Sequence, residues 1–542
     1  MKITLRDYQV AGVSAVREKF MTGKRAVLYV LPTGGGKTRV FTYIASSAGA
    51  KGKRVLILAH RQELVSQSSL SLAELDVSHG LITPENKLKP IMSAHIRKLQ
   101  KSLVNQGAHV HVASVQTISR PGKLAQWASY FDLIIVDEAH HATAGQWFTF
   151  LDSAKQARIL GVTATPHRTD GQGLGIDAGG IFEDIVIGPD PGYLMDQGYL
   201  VRAKVYAPPQ LVDVSGIKRD KSGEFNGRAL AELMAERKIY GDAVGHYNRI
   251  CPGQPAIVFC SSVKNAEIAA EEFKRAGWRA ASIDGSMDDE IRRNLIEALG
   301  DGRIQILTSC DIISEGTDIP VVTAAIMLRP TDSESLFMQQ AGRVLRPVYA
   351  SGYDLSTQEG RLEAIEVSKK PFAIILDHVG NCLRHGLIDE KREWSLDGRP
   401  KRGRESDTDE KSVRVVQCPK CFAAQEPKKP AQIGERYGFS CIGELPTGEK
   451  CDHFFTIKPP AADEIEESDL VEITDTERDR KRAKERQEVG MARTLEQFQA
   501  IAVARGYKPA WVRQMVKMRK AQGLFIETIA PPLELEISEA GV

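Results

Sequence analysis

The sequence predicts an α/β protein of two parallel-sheet lobes in tandem, followed by a four-cysteine metal-binding module and a small, basic helical tail. Three observations predict it. The chain has 542 residues, about three times the 100 to 200 residues of one domain, so at least two cores are expected. Short, continuously apolar runs alternate with helix-length segments, and the whole alternation occurs twice. Four of the eight cysteines crowd between Cys418 and Cys451. Hydrophobic residues at 42% and charged residues at 26% are ordinary for a globular protein and exclude global disorder.

Residues 1–200 read as the first lobe. Its apolar runs are Ala26-Val27-Leu28-Tyr29-Val30, Arg54-Val55-Leu56-Ile57-Leu58, His109-Val110-His111-Val112-Ala113, Leu133-Ile134-Ile135-Val136 and Ile159-Leu160-Gly161-Val162. Runs of this length, apolar throughout rather than alternating, fit strands covered on both faces. Residues 201–235 read as a connector, on Pro208, Pro209 and a polar Asp-Lys-Ser-Gly stretch. A second lobe follows at 236–390, with runs at Ala256–Phe259, Ala280–Ile283, Ile304–Leu307, Ala324–Leu328 and Phe372–Leu376, and an irregular insertion near 347–370. Beyond it come the cysteine module at 413–458, a charged linker at 459–490, a helical hairpin at 491–525 and an acidic tail at 526–542.

The formal charge is +2, from 72 basic and 70 acidic residues, which excludes a polycation that coats nucleic acid by charge excess. The balance is a sum of opposed blocks. Pro459 to Glu477 holds eight acidic residues and no basic one, whereas Arg478 to Lys520 holds thirteen basic and four acidic. No apolar stretch is long enough to span a bilayer and the first residues lack a signal core, so a cytoplasmic protein without a membrane partner is expected.

Chemistry concentrates at the ends of the predicted strands. After the first stands Leu31-Pro32-Thr33-Gly34-Gly35-Gly36-Lys37-Thr38, then a helix-compatible segment. This is a phosphate loop: glycines let backbone N–H groups surround phosphates, Lys37 neutralises their charge, and the Thr38 hydroxyl is placed for Mg²⁺. The strict motif has Gly where Leu31 stands. A second strand ends in Asp137-Glu138-Ala139-His140. Asp137 can hold the Mg²⁺ shell, and Glu138 can orient or deprotonate the attacking water.

Together these residues resemble superfamily 2 helicases and translocases of the DEAD/DEAH type, over about residues 5–381. The resemblance implies two RecA-like lobes with ATP between them. It makes Gln9, in Leu5-Arg6-Asp7-Tyr8-Gln9, the adenine contact. It assigns Arg61, in Leu58-Ala59-His60-Arg61-Gln62-Glu63-Leu64, and Ser114, Gln116 and Thr117, in Ala113-Ser114-Val115-Gln116-Thr117, to nucleic-acid contacts. Thr163-Ala164-Thr165-Pro166 resembles the motif that links hydrolysis to strand movement. In the second lobe, Ile257-Val258-Phe259-Cys260 is similar to motif IV. Leu307-Thr308-Ser309-Cys310-Asp311 through Glu315-Gly316-Thr317-Asp318-Ile319-Pro320 is similar to motif V, with Thr308 as a nucleic-acid contact and Gly316 and Asp318 beside the nucleotide. Gln339-Gln340-Ala341-Gly342-Arg343-Val344-Leu345-Arg346-Pro347 resembles motif VI. Gln339 then meets the γ-phosphate or its water, and Arg343 with Arg346 are arginine fingers, whose guanidinium groups stabilise charge on the transferring phosphoryl.

Cys418, Cys421, Cys441 and Cys451 fit a tetrahedral structural Zn²⁺ site, with His453 as a fallback ligand and four unrelated buried thiols as the alternative. With the ribbon after the lobes, the chain is similar to bacterial RadD proteins and phage-encoded helicase-like ATPases, which are tied to DNA repair and recombination. In the tail, Thr494-Leu495-Glu496-Gln497 is a capping-box pattern, and the basic hairpin either binds DNA phosphates or docks on the lobes. The expected function is ATP-dependent DNA translocation or unwinding with ATP, Mg²⁺ and Zn²⁺, and a repair or replication protein as a further partner. The alternatives are an RNA helicase and a nucleotide-switched DNA-binding scaffold.

Overall fold

The computed structural model describes residues 5–398 except 61, 121, 144, 169–170, 208–213, 215–216, 220–223, 236–238 and 311–318. Beyond these it describes 416–417, 424–425, 431–433, 436–440, 453–455, 471–473, 494–505, 512–513 and 515–516. The chain divides into two compact units, Met1–Glu472 and Ile473–Val542, and the first contains both lobes.

The first lobe is one parallel sheet of seven strands: β1 (Ala26–Val30), β2 (Val55–Ala59), β3 (His79–Ile82), β4 (Val110–Ser114), β5 (Leu133–Asp137), β6 (Arg158–Thr163) and β7 (Asp184–Ile187). Their order is β3-β4-β2-β5-β6-β1-β7. Alternate side chains feed opposite layers. Val27, Tyr29, Val55 and Ile57 join Val13, Val16, Val40 and Phe41 on one face. Leu28, Leu56, Leu58 and Ile134 join Trp147, Phe150, Leu151 and Phe182 on the other. Both faces are therefore dry, which is why the strands read as continuous apolar runs.

The second lobe repeats the plan with β8 (Ala203–Ala207), β9 (Ala256–Phe259), β10 (Ala280–Ile283), β11 (Ile306–Ser309), β12 (Ala324–Met327) and β13 (Ala373–Asp377), in the order β10-β11-β9-β12-β13-β8. The expected connector is thereby shortened. Ala203–Ala207 lies parallel to β13, with Ala203 opposite Ala373, and belongs to the sheet. Its pattern is only half-buried, as suits a strand away from the sheet centre, so it carries a weak apolar signal. The insertion near 350 is likewise partly regular, with a helix at Gln358–Glu366 capped by Thr357.

Two segments outside the sheets matter to the site: one braces the second lobe from within, and the other ties it back to the first. In the connector, Arg219 and Phe225 form an antiparallel bridge, and Glu224 accepts from Thr331 Oγ1 (2.5 Å) and from the N–H groups of Asp332 (3.0 Å) and Ser333 (3.2 Å). After the second lobe, residues 387–398 cross back to the first. Arg392 Nε lies 2.6 Å from Glu334 Oε1, Trp394 and Leu396 pack on the first-lobe core, and Gly175 N donates to Leu396 O at 3.0 Å. The expected helix in the tail is present at Leu495–Arg505. Thr494 N donates to Gln497 Oε1 (3.2 Å) and Gln497 N to Thr494 Oγ1 (3.4 Å), the reciprocal pair of a capping box. No described helix is long and apolar enough to cross a membrane.

Candidate active site

The C-terminal ends of β1 and β5, the crevice where open parallel sheets bind ligands, carry the two carboxylates and the phosphate loop. Gly34 and Gly36 lie at φ 83° and 85°, and Gly36 caps the helix Lys37–Gly49 from the left-handed region that glycine adopts without strain. Leu31, where a glycine is usual, is fully buried in the core above β1, so this position packs the sheet rather than wrapping phosphate. Gln9 is buried: its Nε2 donates to Gly35 O at 3.1 Å and its Oε1 accepts from Arg6 N at 3.0 Å. Tyr8 donates to the same carbonyl at 2.8 Å, and burial pushes its hydroxyl pKa up. The N-terminal segment thus braces the loop.

Lys37 Nζ stands 3.9 Å from Glu138 Oε1, an ion pair too long for a hydrogen bond. Asp137 and Glu138 are 5% and 7% exposed. Asp137 Oδ1 accepts from Glu138 N at 3.0 Å, and Glu138 holds φ 50°, strained for a residue with a Cβ. His140 Nδ1 lies 3.5 Å from Glu138 Oε2 and 3.3 Å from Thr163 Oγ1. Thr163 Oγ1 in turn donates to Thr165 O at 2.9 Å.

The second lobe closes on this site through the helix Glu334–Gly342. Thr165 Oγ1 meets Ser335 Oγ at 2.5 Å, and a methyl placed on Gly342 would lie 2.6 Å from Thr33 Cβ. The phosphate loop and the motif VI helix therefore touch directly. Gln339 is buried, and its Nε2 has no hydrogen-bond partner among the described residues. Arg343 is buried at the end of the same helix, and a carbon placed on Gly34 would lie 3.9 Å from Arg346 Cγ. Buried Lys370 donates to Pro320 O at 2.8 Å; burial, then the nearby Arg346 charge, lowers its pKa to about 7.

These groups suit a magnesium-bound triphosphate. The glycine-lined loop, the loosely paired Lys37 and the Oε2 of Glu138 meet in the first lobe without mutual satisfaction, and the helix that touches the loop carries the unpartnered Nε2 of Gln339. Thr38 and Asp137 are the oxygen donors that could hold Mg²⁺.

The remaining predicted residues scatter. Ser114 and Thr117 are buried, with hydroxyls 2.9 Å apart, while Gln116 is exposed. Thr308 is fully buried, donating to Ala266 O at 2.7 Å. Arg61, Gly316, Asp318, Cys418, Cys421, Cys441 and Cys451 lie outside the described residues. Sequence reasoning missed Ser335, Lys370 and Glu224. Ser335 lies 170 positions from its partner, and no local pattern announces such a contact.

Comparison with known proteins agrees with this geometry. Residues 2–168 match the family described as type III restriction enzyme, res subunit, and residues 243–348 match the helicase conserved C-terminal domain. A 51.5 kDa protein of a Lactococcus phage is 29% identical over 395 residues, covering 72% of this chain and 74% of the phage protein. The candidate ATP-dependent helicase IRC3 of Saccharomyces cerevisiae is 27% identical over 359 residues, 63% of this chain and 49% of the yeast one, so the chain spans about half of that relative. The DNA 3'-5' translocase XPB2 of Sulfurisphaera tokodaii is 24% identical over 390 residues, 64% and 79% of the two chains. With a phosphate loop and paired carboxylates in one lobe and a glutamine–arginine helix closing on them from the other, the chain belongs to the superfamily 2 helicases, enzymes that hydrolyse ATP.

Proposed function

We propose that the protein is an ATP-dependent DNA translocase or helicase. The observation that carries the reading is the contact between lobes: Thr33 against Gly342 and Thr165 against Ser335 bring together the walls of one site from two different sheets. Lys37 and the loop amides bind the triphosphate, and Glu138 orients the attacking water and takes its proton. Gln339, Arg343 and Arg346 complete the site only when the lobes close, so hydrolysis is tied to their approach. A bound Mg²⁺, held by Thr38 and Asp137, would neutralise phosphate charge. The family resemblance gives Gln9 as the base contact and Gly316 and Asp318 as nucleotide contacts. Alternating grip through Arg61 and exposed Gln116 moves the strand, while Ser114, Thr117 and Thr308, whose hydroxyls are buried, position the backbone around them.

DNA is favoured over RNA by the name of the archaeal relative, a DNA translocase. A role in repair, recombination or phage DNA metabolism, with a repair or replication partner, follows from the RadD-like resemblance. The four clustered cysteines hold a structural Zn²⁺, and about one zinc per chain is expected by metal analysis. The deciding experiment compares ATP turnover with single-stranded, duplex and forked DNA and with RNA, followed by strand displacement. Stimulation by RNA alone would reject the DNA reading, and DNA-stimulated turnover in a protein shown neither to displace nor to move along a strand would leave a nucleotide-switched scaffold.

A further inference from the structure

Residues 60–62 leave the C-terminal end of β2, the strand between β4 and β5. Pairing sets Ala59 beside Ser114 and Leu58 beside Val136. The segment therefore emerges with the proposed strand contacts on one side and the catalytic carboxylates on the other. Gln62 reaches the first side: its Nε2 donates to Ser114 Oγ at 2.9 Å, and Ser114 Oγ lies 2.9 Å from Thr117 Oγ1. Thr83 Oγ1 donates to Gln62 Oε1 at 3.0 Å and fixes the amide.

His60 reaches the second side. Its ring stacks on His141, with centroids 4.6 Å apart and planes at 23°, and lies parallel to buried Trp147 at 6.3 Å. His141 lies 4.1 Å from His140, centroid to centroid. His140 then meets Glu138 Oε2 at 3.5 Å. The row ends against Glu138, whose backbone is held at φ 50°, a conformation that persists only while its surroundings enforce it. Packed rings do not compress, so a shift at 60–62 reaches Glu138 as a displacement rather than dissipating.

We propose that the row of imidazoles His60, His141 and His140, the first two stacked and the last tilted by 44°, couples nucleic-acid engagement to the placement of Glu138, with His60 and His141 as positioning residues. Such coupling presupposes the nucleic-acid-stimulated turnover proposed above, and the test separates the two. ATP turnover is measured with and without saturating single-stranded DNA in the wild type, His60→Ala, His141→Ala and His141→Phe, alongside DNA affinity by fluorescence anisotropy. The alanine variants keep basal kcat, KM for ATP and DNA affinity, but lose about tenfold of the DNA-stimulated kcat, a usual size for coupling between sites. His141→Phe keeps a flat ring and retains most of the stimulation. Full stimulation in His60→Ala overturns the proposal, as does equal loss of basal and stimulated turnover in all three variants. Wild-type protein that hydrolyses ATP without responding to DNA would instead defeat the nucleic-acid reading.

Discussion

Glu138 concentrates the chemistry of the site: it is buried, strained, and flanked by Lys37 and His140. Glu138→Gln keeps the shape and removes the proposed base, so phosphate release should fall by roughly a hundredfold or more while nucleotide binding persists. Lys37→Ala should lose binding as well, and equilibrium binding of a labelled nucleotide tells the two apart. Gly342 answers to a different constraint. A methyl there would press on Thr33, so Gly342→Ala should lower stimulated turnover and, as overpacking, cost about 1 to 3 kcal/mol in denaturant unfolding. Lys370 gives a pH signature. Its native pKa is lowered to about 7, whereas in the unfolded chain it titrates in the ordinary lysine range. Across that window the unfolded state binds the extra proton, so this group makes stability rise with pH, and below the window both states are charged and the slope vanishes. The stability of wild type minus Lys370→Met should therefore climb between about pH 7 and pH 10, measured by denaturant unfolding, and stay flat below about pH 6.

Among the elements, the helix Glu334–Gly342 is tied from several directions. Glu224 accepts the N–H groups ahead of it, Ser333 caps it, Arg392 pairs with Glu334, and Thr165 meets Ser335. Removing the Glu224 carboxylate leaves buried donors unpaired, which costs about 1 to 3 kcal/mol. Glu224→Ala should lower stability by that amount and reduce turnover, and Glu224→Gln, which keeps one acceptor, should do less on both counts. The connector thus sets the pose of a helix more than 100 residues downstream. Motif VI was legible because Gln339, Arg343 and Arg346 stand in a recognisable order. Its supports were not, because Glu224 sits in a polar stretch with the composition of any loop.

For the whole molecule, the chain that leaves the first lobe for the second sends residues 387–398 back to pack on the first-lobe core. A tether of this kind limits how far the cleft opens. Trp394→Ala combined with Leu396→Ala should widen the range of interlobe distances, read by energy transfer between dyes on the helices Glu85–Leu99 and Asp289–Gly300, which the Lys87–Asp289 ion pair joins. An unchanged distance distribution would show that the return segment constrains nothing.

Local sequence determined the strands buried on both faces, the phosphate loop and the Asp137-Glu138 pair, because apolar runs and glycine-rich turns act within a few residues of themselves. It was weaker for β8 and the helix Gln358–Glu366, whose half-buried or polar residues carry little periodic signal. Only the tertiary structure decided which walls meet. Thr33 with Gly342, Thr165 with Ser335, and the imidazole stack behind Glu138 each join residues far apart in the chain. The first two depend on how two sheets pack across a cleft and the third on which strands are neighbours within one sheet, and spacing along the sequence encodes neither.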